Sequence, residues 1–174
     1  MRRCITLFVV LICNLALQST LLQHIAVMGV VPNTALIIIL SMALLRGSTE
    51  GAAVGLFAGL LQDVLFGGAI GYYALLGMVS GYLAGKFNKG FYRENYFMPM
   101  VLSFIATFLY ESCVFLTLIL FSGNLDYPYF LTHLILPEMA YNTVFSILVY
   151  RILFSVNSAI EEREKAKRRL FGIK

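Results

Sequence analysis

Tryptophan is absent from this chain, and charge is scarce. Asp, Glu, Lys and Arg make up 13% of the 174 residues, where a soluble domain carries roughly a quarter. A globule of this size cannot cover its apolar surface with so few charges. Cysteine is nearly absent too. The three cysteines, Cys4, Cys13 and Cys113, stand in apolar runs and read as small hydrophobes, which excludes a secreted disulfide scaffold. The two histidines, His24 and His133, are isolated, so no Cys/His cluster has metal-ligand spacing. No Ser/His/Asp or His-Glu-x-x-His pattern supplies a nucleophile with its base, so no catalytic residue, metal or cofactor is expected.

What is present is hydrophobicity. It accounts for 60% of residues, with a mean hydropathy of +0.84. A polytopic all-α membrane protein follows. A crossing helix needs about 20 apolar residues, and six segments qualify: 4–23, 30–45, 50–66, 69–85, 97–121 and 130–154. The second to fourth are short. They read as steep helices in thinned bilayer, or as a re-entrant hairpin followed by one span. With six spans, all 13 Lys and Arg residues fall on or near one side, and the loops on the other side contain none. The positive-inside rule then places both termini in the cytoplasm. Residues 1–156 read as one six-helix transmembrane domain and 157–174 as a basic cytoplasmic tail. The net charge of +4 reflects this topology and attraction to anionic lipid, not nucleic-acid binding.

In lipid, helices associate through close packing and polar contacts. The third segment carries Gly47, Gly51, Gly55 and Gly59 at intervals of four, and Asp63 and Gly67 continue the spacing. The fourth repeats the device with Gly77, Gly81 and Gly85. Such stripes share a helix face. They can pack on each other within the chain, or part of their surface can receive a partner's helix. Pro137 lies inside the sixth segment and predicts a kink.

Ionisable and amide groups at membrane depth are functional hypotheses by default. Counting rise per residue from the cytoplasmic ends places Asp63, Glu111 and Asn142 at roughly 20 Å and Glu138 at roughly 25 Å, with Asn14 and Gln18 at roughly 16–22 Å. These six form an expected polar layer, with Glu111 level with Tyr141 and Asn142. It serves either to set helix register or to line a cavity open to the outside. On the cytoplasmic face, Lys86, Lys89 and Arg93 alternate with aromatic residues as an interfacial anchor, and Lys165, Lys167, Arg168 and Arg169 form a basic cluster. Lipid headgroups or a cytoplasmic partner are the expected contacts.

From Pro32 to Tyr82 the chain resembles the rod shape-determining protein MreD family. The features are Pro32-Asn33 opening a helix, Leu45-Arg46-Gly47 closing it, then Glu50-Gly51, Gly55, Gly59, Asp63, Gly67, Gly71, Gly77 and Gly81-Tyr82 in order. Pro137 and Asn142 match the Pro-x4-Asn of the family's last helix. The fifth segment matches little, and Asn33 stands where the family often has Asp. The resemblance implies a non-enzymatic subunit of the bacterial cell-elongation machinery in the cytoplasmic membrane. It would bind the transmembrane helix of MreC and act beside RodA, a class B penicillin-binding protein and MreB in peptidoglycan synthesis and rod shape. It also implies a fold similar to the six-helix substrate-binding subunits of energy-coupling factor transporters. The alternative function is therefore a vitamin-binding subunit of that kind, although Ala16 followed by Thr20 is a poor match to the Ala-x-x-x-Ala docking motif expected there.

Overall fold

The structure, a computed structural model, describes residues 2–24, 26, 29–66, 70–90, 97–122 and 126–170. Among them it is all-helical. The helices are α1 (Arg2–His24), α2 (Thr34–Arg46), α3 (Ser48–Phe66), α4 (Tyr72–Gly85), α5 (Phe97–Ser122) and α6 (127–170), with a 3-10 turn at Lys86–Gly90. Two of them, over Phe97–Leu120 and Tyr127–Glu162, are long and apolar enough to cross a membrane. Their exposed side chains include Leu116, Leu120, Val144 and Leu148, an apolar exterior suited to lipid.

The centre is α2. Every residue from Thr34 to Leu45 is buried, as expected of a helix that is hydrophobic on all sides. It packs against α3, α4, α5 and α6. Thirteen residues make a rod of about 20 Å, shorter than the roughly 30 Å of hydrocarbon in a bilayer. No thinned bilayer or re-entrant hairpin is needed to explain this. α2 meets protein on every side, so its ends need only protein partners.

Those partners come from α6 and from the 3-10 turn. At the start of α2 the Asn33 side chain accepts the Leu36 amide at 3.1 Å, closing an N-cap. The Asn33 backbone amide donates to Asn142 Oδ1 at 2.8 Å. At the other end Arg46 Nε donates to Asn157 Oδ1 at 2.6 Å, and Asn157 Nδ2 donates to Glu161 Oε1 at 3.1 Å. Asn88 Nδ2 donates to the Leu44 carbonyl. The α6 face between the two asparagines, Ser146, Tyr150 and Leu153, is buried. α6 runs through residue 157 without a break, so the region expected as a separate tail begins inside a structural contact.

The two glycine stripes meet each other. A Cβ added at Gly51 would lie 2.6 Å from the Gly81 carbonyl oxygen, and one at Gly77 would lie 2.5 Å from that of Gly55. Additions at Gly55, Gly59, Gly81 and Gly85 would likewise overlap backbone across the α3–α4 contact. No side chain fits between these helices. Of the two readings of Gly51, Gly55, Gly59, Gly77, Gly81 and Gly85, packing on each other within the chain is the arrangement present, and along these six positions α3 and α4 fill each other's stripes. Gly47 joins the contact only through its backbone, which a Cβ added at Gly85 would meet at 2.5 Å. It closes α2 with φ +93°, and its amide donates to the Ala43 carbonyl at 2.7 Å. Gly67 lies outside the described residues.

Pro137 does not break its helix. The chain widens into a π turn at Leu131–Ile135 immediately before it, which relieves the clash of the proline ring with the preceding turn.

Candidate functional site

At the end of the bundle remote from Arg46 and Lys86, six elements enclose a pocket of about 220 Å³. Gln18 reaches it from α1, Val31 and Asn33 from the entry to α2, and Gln62 from α3. Tyr73 comes from α4, Tyr110, Glu111 and Val114 from α5, and Glu138 from α6. Each side chain is placed by a local reason. Gln62 and Tyr73 are held by the glycine contact between α3 and α4. Glu138 and Asn142 stand one turn apart on the buried face of α6. Tyr73 and Tyr110 stack with ring centroids 6.4 Å apart and planes at 24°.

The expected polar layer divides into four parts. Gln18, Glu111 and Glu138 come together in the pocket. Asn142 stands just behind it, wholly buried. Its Nδ2 donates to Thr107 Oγ1 at 2.9 Å and, more weakly, to Glu138 Oε1 at 3.4 Å. Asp63 does a different job. It caps α4 from another helix: Oδ1 accepts the Tyr73 amide at 2.8 Å, and Oδ2 accepts those of Gly71 and Ala74 at 2.9 and 3.2 Å. The positive φ of Gly71, +101°, turns the chain so that these amides point back at α3. A carboxylate at a helix N-terminus also gains from the helix dipole. Asn14 is buried on α1, outside the pocket lining, and its Nδ2 has no partner among the described residues.

The register between α5 and α6 differs from expectation by one turn. Asn142 meets Thr107, and Glu111 shares the pocket with Glu138, one turn further out on each helix. Counting depth from helix ends ignored that the true ends are set by caps and by the π turn.

The pocket does not resemble a metal centre. Among the described residues no three His, Cys, Asp or Glu side chains stand close enough to share an ion.

On the opposite face Lys86 Nζ sits 5.1 Å above the Tyr82 ring. Lys89 lies on the 3-10 turn, and Lys165, Lys167, Arg168 and Arg169 lie on the last turns of α6. The side chains of these five, and Arg93 altogether, fall outside the described residues.

The sequence also matches the rod shape-determining protein MreD family, over residues 1–157. This chain belongs to that family. Two long apolar helices and this membership fit a membrane protein of bacterial cell shape. Sensor protein LytS of Enterococcus faecalis (strain ATCC 700802 / V583) is similar, with 25% identity over 155 residues. That alignment covers 88% of this chain and 26% of LytS, so the chain spans about a quarter of that relative's length. No solved structure matches.

Within this MreD-family chain, sequence reasoning missed several residues that build the site. Thr107, Tyr110, Gln62 and Tyr73 were passed over as ordinary helix residues. Asn157 and Asn88 stand beside charged segments, where nothing in the sequence singles them out. The one signal that could have found Asn157 is its spacing from Asn142. Fifteen residues correspond to about 22 Å along a helix, close to the length of α2.

Proposed function

We propose that this chain is a non-catalytic scaffold subunit of the bacterial cell-elongation complex, seated in the cytoplasmic membrane with six crossing helices and both termini in the cytoplasm. It binds the transmembrane helix of MreC, and RodA, a class B penicillin-binding protein and MreB assemble around that pair to direct peptidoglycan synthesis. The family match across residues 1–157 carries this reading. The one-sided distribution of Lys and Arg supports the topology. The fold proposed is similar to that of substrate-binding subunits of energy-coupling factor transporters.

The glycine stripes are closed, so the partner helix meets another face. α1 makes its main contacts with α2 alone and exposes Val9, Ile12 and Leu17. The test is co-purification in mild detergent with photocrosslinkers placed at Ile12, Phe57 and Leu148. MreC is expected to co-purify and to crosslink from one of these faces. Recovery of the chain without MreC, in cells where both are expressed, overturns the reading.

A further inference from the structure

We propose that the pocket among α1, α3, α4, α5 and α6 binds a small organic cation, with a protonated amine seated between Glu111 and Glu138 and against the rings of Tyr73 and Tyr110. This goes beyond the scaffold reading and does not depend on it.

The lining is rich in acceptors and lacks donors of positive charge. Glu111 is 7% exposed and Gln62 8% exposed, and neither side chain has a hydrogen-bond partner among the described residues. Gln18 Oε1 is buried and also unpartnered. Among the described residues Glu138 receives only the long bond from Asn142 Nδ2, at 3.4 Å, while the shorter bond from that nitrogen goes to Thr107 at 2.9 Å. Among the described residues no Lys, Arg or His lines the pocket. Buried polar groups in a finished core are satisfied, and buried carboxyls are paired. Here three elements aim unsatisfied groups at one space.

The chemistry of the missing partner follows. An anion offers no proton donor to the two carboxyls and is repelled by either one when ionised. A neutral ligand would leave two carboxyls unpaired. An ammonium donates up to three hydrogen bonds and supplies the charge, and aromatic faces such as Tyr73 and Tyr110 attract it further. The volume, about 220 Å³, is below the roughly 300–1,000 Å³ of drug-sized sites, so the ligand is small. A free amine and the amine headgroup of an aminophospholipid share this chemistry.

The test uses the purified full chain. In detergent, ethanolamine and putrescine are expected to raise the unfolding temperature saturably, followed by circular dichroism, with acetate and glycolate as controls. Calorimetric titration of E111Q and E138Q, which keep side-chain volume, is expected to show at least tenfold weaker ethanolamine binding. In parallel, the chain is placed in nanodiscs of phosphatidylglycerol with or without phosphatidylethanolamine. Stabilisation by the lipid identifies a headgroup source, and stabilisation by ethanolamine in phosphatidylglycerol alone identifies a free one; either supports the proposal. No saturable effect from any amine or from phosphatidylethanolamine overturns it. So does an equal effect from the anions, or undiminished binding by both variants. If both variants misfold, the amine-versus-anion comparison on the native chain still decides.

Discussion

Asn142 Oδ1 accepts the backbone amide of Asn33 at 2.8 Å, joining positions 109 apart in the chain. Through this bond α6 closes the start of the central helix. Asn157 does the same for its end through Arg46. Two asparagines on one helix therefore bracket another helix whose whole length is buried.

Replacing Asn142 by Ala removes that acceptor and the donor to Thr107. Hydrogen bonds between membrane helices are worth about 0.6–1.7 kcal/mol each, and a stranded buried amide adds to the loss. We expect Asn142→Ala to destabilise the fold by about 1–3 kcal/mol, read as a lower unfolding temperature in detergent. An unchanged temperature would show that the bond contributes nothing.

At the other end, Arg46→Ala and Asn157→Ala are expected to be non-additive. Residues in direct contact couple by about 0.5–3 kcal/mol. Arg46 also lies 3.8 Å from Glu50, whose side chain is 45% exposed; an ion pair so exposed contributes little. A double-mutant cycle on unfolding should assign most of the coupling to Asn157. Strict additivity would refute the bracket.

For the glycine contact, Gly55→Ala is expected to be damaging although alanine is the better helix former. Its Cβ overlaps the Gly77 backbone, which cannot give way. Overpacking of this kind costs about 1–3 kcal/mol. Gly71→Ala meets no atom within 4 Å, so only the strain of its positive φ applies, about 1–2 kcal/mol. Thermal unfolding and the α3–α4 distance, read by spin labels on exposed Val64 and Leu75, separate the two. Only Gly55→Ala should lengthen that distance.

The glycines were legible because their period of four survives any context. What covers them was not legible: a bare face attracts a neighbour in the same chain as readily as a stranger. The all-apolar character of α2 was visible, but its shortness was assigned to the bilayer, because burial by the chain's own helices is a long-range property. Asp63 was recognisable as unusual. Its role as a cap depends on a turn through Gly71 that places α4 beside it. Glu111, Glu138 and Gln18 were all legible as deep polar groups. Their register was misjudged by a turn, and the tyrosines and Gln62 beside them carry no spacing signal.

Replacing Asp63 tests the cap. Asp63→Asn keeps one acceptor and loses the charge, and Asp63→Ala loses both. We expect losses of about 1 and 2 kcal/mol respectively, in the range of helix caps. Hydrogen exchange should quicken most at the Tyr73 and Ala74 amides. Equal exchange in wild type and Asp63→Ala would rule the cap out.

The interlock of α3 with α4 has a consequence for stiffness. Two rods touching backbone to backbone have no rotamers to rearrange where they meet, so they behave as a single stiff plank. Any motion of the bundle must tilt that plank as a unit or bypass it through the other rods.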